Sequence, residues 1–366
     1  MKPRSRTLLW MVGLPLAAFS QNIPRVEPIP RDALELATGR IQVADAAADR
    51  DVDLKLLTRA RNSYALRNSR QPWDLTVHFT VDSLGQTNYD GEWEMEDVFA
   101  PGQGLHWTAK SAGGYTITGI IGANANYVEA STSAVPLRLQ EARAMLYDPL
   151  PSVAYAKNGS IRTVTADFRG STVVCVLLAR SRNATNPAGE RGWDESEDCI
   201  DPDSGLLQMH SEVPGRYVVY DYANSARLGS HVLPGTVTIT EGGRVVSRIS
   251  VTSLRADPAV DPGLFVPTNV MMASGPGVAM TAATKIARIQ GAGPLAPGMT
   301  MRPVCVLGIV TPAGRLEEAH SLQPSDPNSE AAVQDAESID FSPSIRPGSP
   351  PQQHFAFVIE KFLSMQ

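Results

Sequence analysis

From Trp73 onward apolar and polar positions alternate with a period of two. WDLTVHFTV (73–81), GEWEMEDVF (91–99), LHWTAKSA (105–112), YTITGII (115–121) and NANYVEA (124–130) alternate or carry β-formers, with Gly and Asn turn signals between them. This predicts an antiparallel meander. Helical spacing is found on either side of it. Apolar residues at 52, 54, 56, 57, 60 and 64, behind an acidic start, predict a helix over Asp51 to Ala65. Pro136 to Leu146 (PLRLQEARAML) reads as one short amphipathic helix. Strands resume at IRTVTADF, STVVCVLLA, LLQMHS, RYVVYDY, GTVTIT and RVVSRISVTSL, the last two joined by a hairpin turn at Glu241-Gly242-Gly243. Phe265-Val266-Pro267 closes this domain.

The flanking segments differ. Residues 21–48 carry Pro24, Pro28 and Pro30 and then an Ala-rich stretch, as an extended arm would. Met271 to Met301 holds Gly275, Pro276, Gly277, Gly291, Gly293, Pro294, Pro297 and Gly298, a candidate linker with one short helix near Thr281 to Ile289. The tail reads as a strand (PVCVLGIV, 303–310), a turn at Pro312 to Arg315 and a strand at Leu316 to Leu322. A helix over Asn328 to Ser338 and a last strand, HFAFVIEKF (354–362), complete it, in the order ββαβ. The expected division is 1–20 signal peptide, 21–48 arm, 49–268 antiparallel β domain, 269–301 linker and 302–366 tail. The fold class expected is α+β, a curved antiparallel sheet or half-barrel with helices, followed by the small ββαβ unit.

The first twenty residues change the reading of the rest. Lys2, Arg4 and Arg6 precede a 13-residue apolar run, Thr7 to Phe19, and Ala18-Phe19-Ser20 offers small residues before Gln21. This is the order of a cleaved secretory signal, too short for a span of about 20 residues. The alternative is an uncleaved N-terminal anchor. No other stretch is a transmembrane candidate, so the mature chain is expected in the periplasm or secreted. Cleavage would take the formal charge from −6 to −9. With no basic block anywhere, nucleic acid is a poor partner. The 29 Gly and 28 Pro among 366 residues favour turns and strands over a helical bundle.

Export gives the three cysteines a redox context. Cys175 and Cys199 fall in one domain, and a disulfide between them would close a loop of about 25 residues and contribute about 3 kcal/mol. The alternative is two unpaired buried thiols. Cys305 lies in an apolar strand-like run and reads as a core residue.

Two resemblances follow from these motifs. The tail, with its apolar strand, PAGRL turn, SEAAVQDA helix, Phe341 and Pro343 in IDFSP, and apolar final strand, resembles the TonB family C-terminal domain. It departs from the family in having a large β domain where energy transducers carry a long spacer. The resemblance implies a protein-contact module, with Phe355, Phe357 and Ile359 on its interaction strand. The 50–268 region is similar to LolA-like envelope carriers, through its helix, meander, mid-chain helix, further strands and the turn CIDPDSGLL. That implies a curved sheet around a helix-plugged apolar cavity. Trp73, Trp93 and Trp107, one in each of three successive strands, would line such a cavity if they face inward; an ordinary aromatic core is the plainer reading.

Other chemistry finds no motif. Asp49, Asp51 and Asp53 imitate a calcium loop, but Leu54 and Ala60 stand where Gly and Glu are required. Asp201, Asp203 and Ser204 form a calcium-like or, more plainly, an Asx-type turn. His78, His210 and His231 lie in strand-like runs where at least two could meet. HExxH and GxSxG are absent from the sequence. Glu94, Glu96 and Asp97 read as a solvated face. No catalytic residue, cofactor or metal is expected. The reading is a non-enzymatic envelope binding protein that holds an apolar, lipid or peptide ligand in the β domain and contacts an envelope protein through the tail. The alternatives are a structural or interaction protein with a filled barrel, and an exported hydrolase.

Overall fold

In the computed structural model the described residues are 42–43, 47–83, 89–132, 135–152, 156, 158–179, 191, 195–257, 259–273, 284–287, 299–341 and 353–365. The segment read as a signal lies outside them. A short strand β1 (Gln42–Val43) and helix α1 (Ala47–Tyr64) come first. In β2 (Trp73–Val81) every odd-numbered position is buried and the even ones are half-buried or exposed. β3 (Gly91–Ala100) keeps that phase through Trp93, Met95, Asp97 and Phe99, and β4 (Gly104–Ser111) through Leu105, Trp107 and Ala109. Antiparallel register sets Trp93 opposite Phe79 and Trp73 opposite Phe99, so one face collects the large side chains.

The chain continues through β5 (Thr116–Ile121), β6 (Asn126–Ala130), helix α2 (Leu137–Tyr147), β7 (Ser160–Phe168), β8 (Ser171–Ala179) and β9 (Ser196–Ile200). β10 (Leu207–Val213), β11 (Arg216–Asp221), the hairpin β12 (Ala226–Leu228) and β13 (His231–Leu233), then β14 (Thr236–Glu241), β15 (Arg244–Ala256) and β16 (Met272–Ala273) follow. Among the described residues fourteen strands form one antiparallel sheet, in the order β1-β7-β8-β9-β10-β11-β14-β15-β2-β3-β4-β5-β6-β16. The long β15 is the seam, pairing with β14 on one edge and β2 on the other. Its entry turn needs glycine twice: Gly242 and Gly243 have φ of 58° and 81°, as a two-residue hairpin loop with left-handed centres requires.

Both helices lie on one face of this sheet. Leu54, Leu57, Ala60 and Tyr64 of α1 and Leu139, Ala142, Met145 and Leu146 of α2 share a core with Trp73, Trp93, Val237, Ile239 and Ile249. Each large apolar side chain so buried contributes about 1.5–3 kcal/mol. The opposite face of β7 to β11 carries a second cluster, including Phe168, Val173, Leu177, Met209 and Tyr217.

The tail comprises β17 (Thr284–Ala287), β18 (Met299–Val310), β19 (Leu316–Ser321), helix α3 (Ser329–Glu337) and β20 (His354–Met365). Its sheet order is β17-β20-β18-β19, with β17 parallel to β20. Residues 284–287, expected within a short helix, are therefore a strand. A partner 72 residues downstream supplies their backbone pairing, with Thr284 opposite Ala356, and local spacing cannot register that. Alternation gives the tail two apolar faces. Val304, Val306, Ala356 and Val358 pack under Ala332 and Ala336 of α3. Cys305, Leu307, Ile309, Phe355, Phe357 and Ile359 pack toward Leu137 and Val213 of the large sheet's domain.

Candidate functional site

Trp73, Trp93 and Trp107 lie on one face of the sheet, within one core. Trp73 is fully buried and stacks between Phe99 (5.4 Å) and Tyr147 (6.3 Å), its indole N–H donating to the Leu66 carbonyl at 3.0 Å. Trp93 stacks on Phe79 at 5.4 Å, leans on Tyr115 at 5.6 Å and donates to the Tyr89 carbonyl at 2.9 Å. Trp107, 9% exposed, carries the Arg143 guanidinium 4.1 Å from its ring centroid. Arg143 in turn donates to Asp97 Oδ1 at 2.9 Å, and the Tyr147 hydroxyl donates to Asp97 Oδ2. Burial first, then the Asp97 charge, raise the Tyr147 phenol well above its usual range.

Asp97 corrects the reading of the acidic trio. Glu94 and Glu96 are exposed, but Asp97 falls on the odd phase with Trp93 and Met95 and is buried. Its cost is met by Arg143 and Tyr147.

Helix α1 closes the same interior. The Tyr64 hydroxyl meets the Tyr222 hydroxyl, and Tyr222 donates to the Leu207 carbonyl at 2.8 Å. Arg59 donates to the carbonyls of Pro202 (3.0 Å) and Asp203. The turn it grips is of the Asx type, since Asp201 Oδ1 accepts from the backbone N–H of Asp203 (2.9 Å) and of Ser204 (3.0 Å).

A charged junction that sequence reasoning missed lies behind α2, toward the tail. Arg138 of α2 donates from Nη1 and Nη2 to the two oxygens of Glu241 at 2.7 and 2.9 Å. Arg216 Nε donates to the same carboxylate at 3.2 Å, and Arg216 also pairs with Glu141 and Glu212. His320 of the tail reaches Glu241 Oε2 at 3.2 Å. Phe355 of the tail lies against both guanidinium groups, 4.8 Å from Arg138 and 5.3 Å from Arg216. Burial would raise the Glu241 carboxyl, but Arg138, the His320 ring 3.2 Å away and Arg216 hold it well below the usual range. Arg216 is lowered, by burial first and by the facing Arg138 charge. The hint in the sequence is that Arg138 and Glu141 interrupt the apolar run of α2 on positions that a simple amphipathic helix would leave to solvent.

No family model and no curated protein sequence matches the chain. Solved structures do resemble it. A DUF1329 family protein from Desulfovibrio piger shares 9% identity over 59% of this chain and 96% of that one, with a TM-score of 0.38. For a LolA superfamily protein from Nitrosomonas europaea the values are 9%, 58%, 96% and 0.35. For the lipoprotein LppX of Mycobacterium tuberculosis they are 10%, 56%, 100% and 0.21. These neighbours concern the LolA-like expectation; the TonB-like expectation for the tail remains a proposal.

The remaining expected residues have definite places. Cys175 and Cys199 face each other across β8 and β9 and form a disulfide, with Cys305 a buried cysteine outside it. Glu197 lies within 4.8 Å of both bridged sulfurs, but the disulfide leaves no thiolate to bind a metal. The histidines take separate partners: His78 stands 4.0 Å from Glu94, His210 Nδ1 is 2.8 Å from Asp198, and His231 Nδ1 is 3.1 Å from the Asn62 carbonyl. Phe355, Phe357 and Ile359 are buried against the chain's own large domain, and β20 is flanked by β17 and β18.

Proposed function

We propose that this protein is a non-enzymatic binding protein of the bacterial envelope, exported by cleavage after Ser20, which holds an apolar or lipid ligand in the interior of its large sheet. The observation that carries this reading is the apolar interior that α1 and α2 share with strands from both halves of the sheet. A curved sheet plugged by helices accepts a ligand when a plug moves. Helix α1 is the better candidate, because α2 is held by buried ion pairs of Arg138, Glu141 and Arg143, while α1 is anchored by carbonyl and hydroxyl contacts and by one solvent-accessible ion pair, Arg61 with Asp148. Buried ionisable groups such as Asp97, Glu141 and Glu241 serve to hold elements together, which supports a role without catalysis. No helix among the described residues is long and apolar enough to cross a membrane.

The same proposal divides the chain into a β domain at 49–268, a connecting segment at 269–301 that lends β16 to the large sheet and β17 and the first residues of β18 to the tail sheet, and a protein-contact tail at 302–366. Since β20 is flanked on both sides, a partner strand would have to join at an edge strand of the tail sheet, β17 or β19 among the described residues. One observation favours a second reading, a structural protein with a filled interior: the stacking of Trp73 on Phe99 and of Trp93 on Phe79 already fills that part of the face. Titration with a fatty-acyl probe decides between them. Saturable change in tryptophan fluorescence, weakened by Trp107→Ala, supports the binding reading; no saturable change across a lipid and peptide panel leaves the structural one.

A further inference from the structure

The large sheet and the tail keep separate cores. The cluster under α1 and α2 and the cluster under α3 share no residue. Between them, the apolar junction takes only Leu137 and Val213 from the large domain, against Cys305, Leu307, Ile309, Leu322, Phe355, Phe357 and Ile359 from the tail. The rest of the junction is charged or close backbone contact. Glu241 meets His320, and Gln323 Nε2 donates to the Pro214 carbonyl at 3.1 Å. At Gly215 a Cβ would stand 2.6 Å from the Leu322 carbonyl oxygen. An interface with little apolar area on one side permits relative motion of the units it joins. A buried ion cluster sets register more than it adds net stability, yet loss of one member leaves buried charge uncompensated. Backbone strain sits at the same place: Glu318, two residues before His320 in β19, has φ of 53° without being glycine, a conformation kept only where the surroundings enforce it.

We propose that the tail is a cap docked in cis by a charge clasp centred on Glu241, and that the tail sheet (β17 to β20) with α3 leaves the large sheet as a folded unit when the clasp is broken. Glu241 balances Arg138 and Arg216 at once, and the two guanidinium groups form the seat for Phe355. Without Glu241 the two guanidinium groups keep only Glu141 and Glu212 against them, the seat under Phe355 loses its central counter-charge, and the tail's apolar face is uncovered. In the docked state that face is covered by its own chain, which makes the contact autoinhibitory in form. The clasp stands on this junction alone and does not depend on the ligand reading.

Cys305 is the reporter. It is fully buried on the docked face and is the cysteine outside the disulfide, since Cys175 and Cys199 are bridged. The oxidised full chain is treated with N-ethylmaleimide under native conditions, and labelling of Cys305 is followed by mass spectrometry beside hydrogen exchange of β18 and β20. Glu241→Gln is expected to speed labelling at least about tenfold while the β18–β20 amides stay protected. His320→Ala, made from the tail side, is expected to act in the same direction and serves if the first variant does not fold. Unchanged labelling in both variants overturns the clasp. Faster labelling together with lost β18–β20 protection overturns the folded-unit claim, because the tail would then be unfolding and not undocking.

Discussion

Glu241 at the end of β14 receives Arg138 of α2 through two hydrogen bonds of 2.7 and 2.9 Å, across 103 residues of chain. This pair turns a charged side of α2 into a buried one. Leu139, Ala142 and Leu146 face the large sheet while Arg138 and Glu141 face the tail, so the helix is enclosed on both sides. It also fixes where the β14–β15 turn lies, because Gly242, next in sequence, approaches the Ser321 carbonyl so closely that a Cβ would stand 3.0 Å from it.

The first prediction is an acid limb that belongs to Glu241. Its carboxyl is held well below the usual range, so its contribution is fully present above the ordinary carboxylate pKa and is lost as pH falls through the folded value. Glu241→Gln should cost about 3 kcal/mol near neutral pH, the low end for a broken buried pair, since Arg138 and Arg216 lose a shared partner while Glu141 and Glu212 still offset part of their charge. It should also flatten the acid limb. Urea unfolding of both proteins over a pH series measures this; parallel acid limbs would refute the assignment.

The second prediction concerns the disulfide. Its two cysteines are 24 residues apart in sequence and directly opposite in register. Non-reducing peptide mapping should find Cys175 joined to Cys199 and only Cys305 alkylated after unfolding. Replacing both bridged cysteines by Ala should lower stability by about 3 kcal/mol, the loop-closure value for this length. Three alkylated thiols in the protein isolated from an oxidising compartment would contradict it.

Much of this was legible in the sequence where the interaction is local. Period two predicted β2 to β5 nearly to the residue, because one face is buried and each neighbour is joined by a short turn. PLRLQEARAML gave α2 within one residue at its end, with Pro136 just before it. Asp97 was misread because its phase was judged from its acidic neighbours and not from Trp93 and Met95. The strand at Thr284–Ala287 and the junction of Arg138, Arg216, Glu241 and His320 were invisible, since each depends on partners from 25 to 103 positions apart. Charge on a short helix looks the same whether it will meet water or a buried carboxylate.

The third prediction tests the packing around Trp107. Gly119 of β5 stands opposite Trp107 of β4, and a Cβ there would lie 2.2 Å from the indole Nε1. No rotation of a single methyl relieves that contact, so the ring must shift and with it Arg143. Gly119→Ala should cost about 1–3 kcal/mol as an overpacking change and alter the near-UV dichroism of the tryptophans. Retention of both the wild-type spectrum and the wild-type stability would show that Trp107 is not held where the structure has it.

The fourth prediction turns on His210, which is buried on β10 with Nδ1 2.8 Å from Asp198 on β9. Burial works against the charged ring, but the Asp198 charge and hydrogen bond outweigh it, with Glu212 adding and Arg191 opposing, so the imidazole is raised above its ordinary value. A raised base contributes stability that is fully present below the unfolded-state pKa, about 6.5. That contribution is lost as pH rises through the folded value. The protein should therefore lose stability from mildly acid to alkaline pH by a component that His210→Gln removes. The variant should be less stable than the wild type below about pH 6, and the gap should narrow above the folded pKa. Proton NMR of the ring gives the titration directly, and thermal unfolding across the same pH range gives the linkage. A gap that instead widened as pH rose would mean the ring is buried neutral and that Asp198 does not hold its proton.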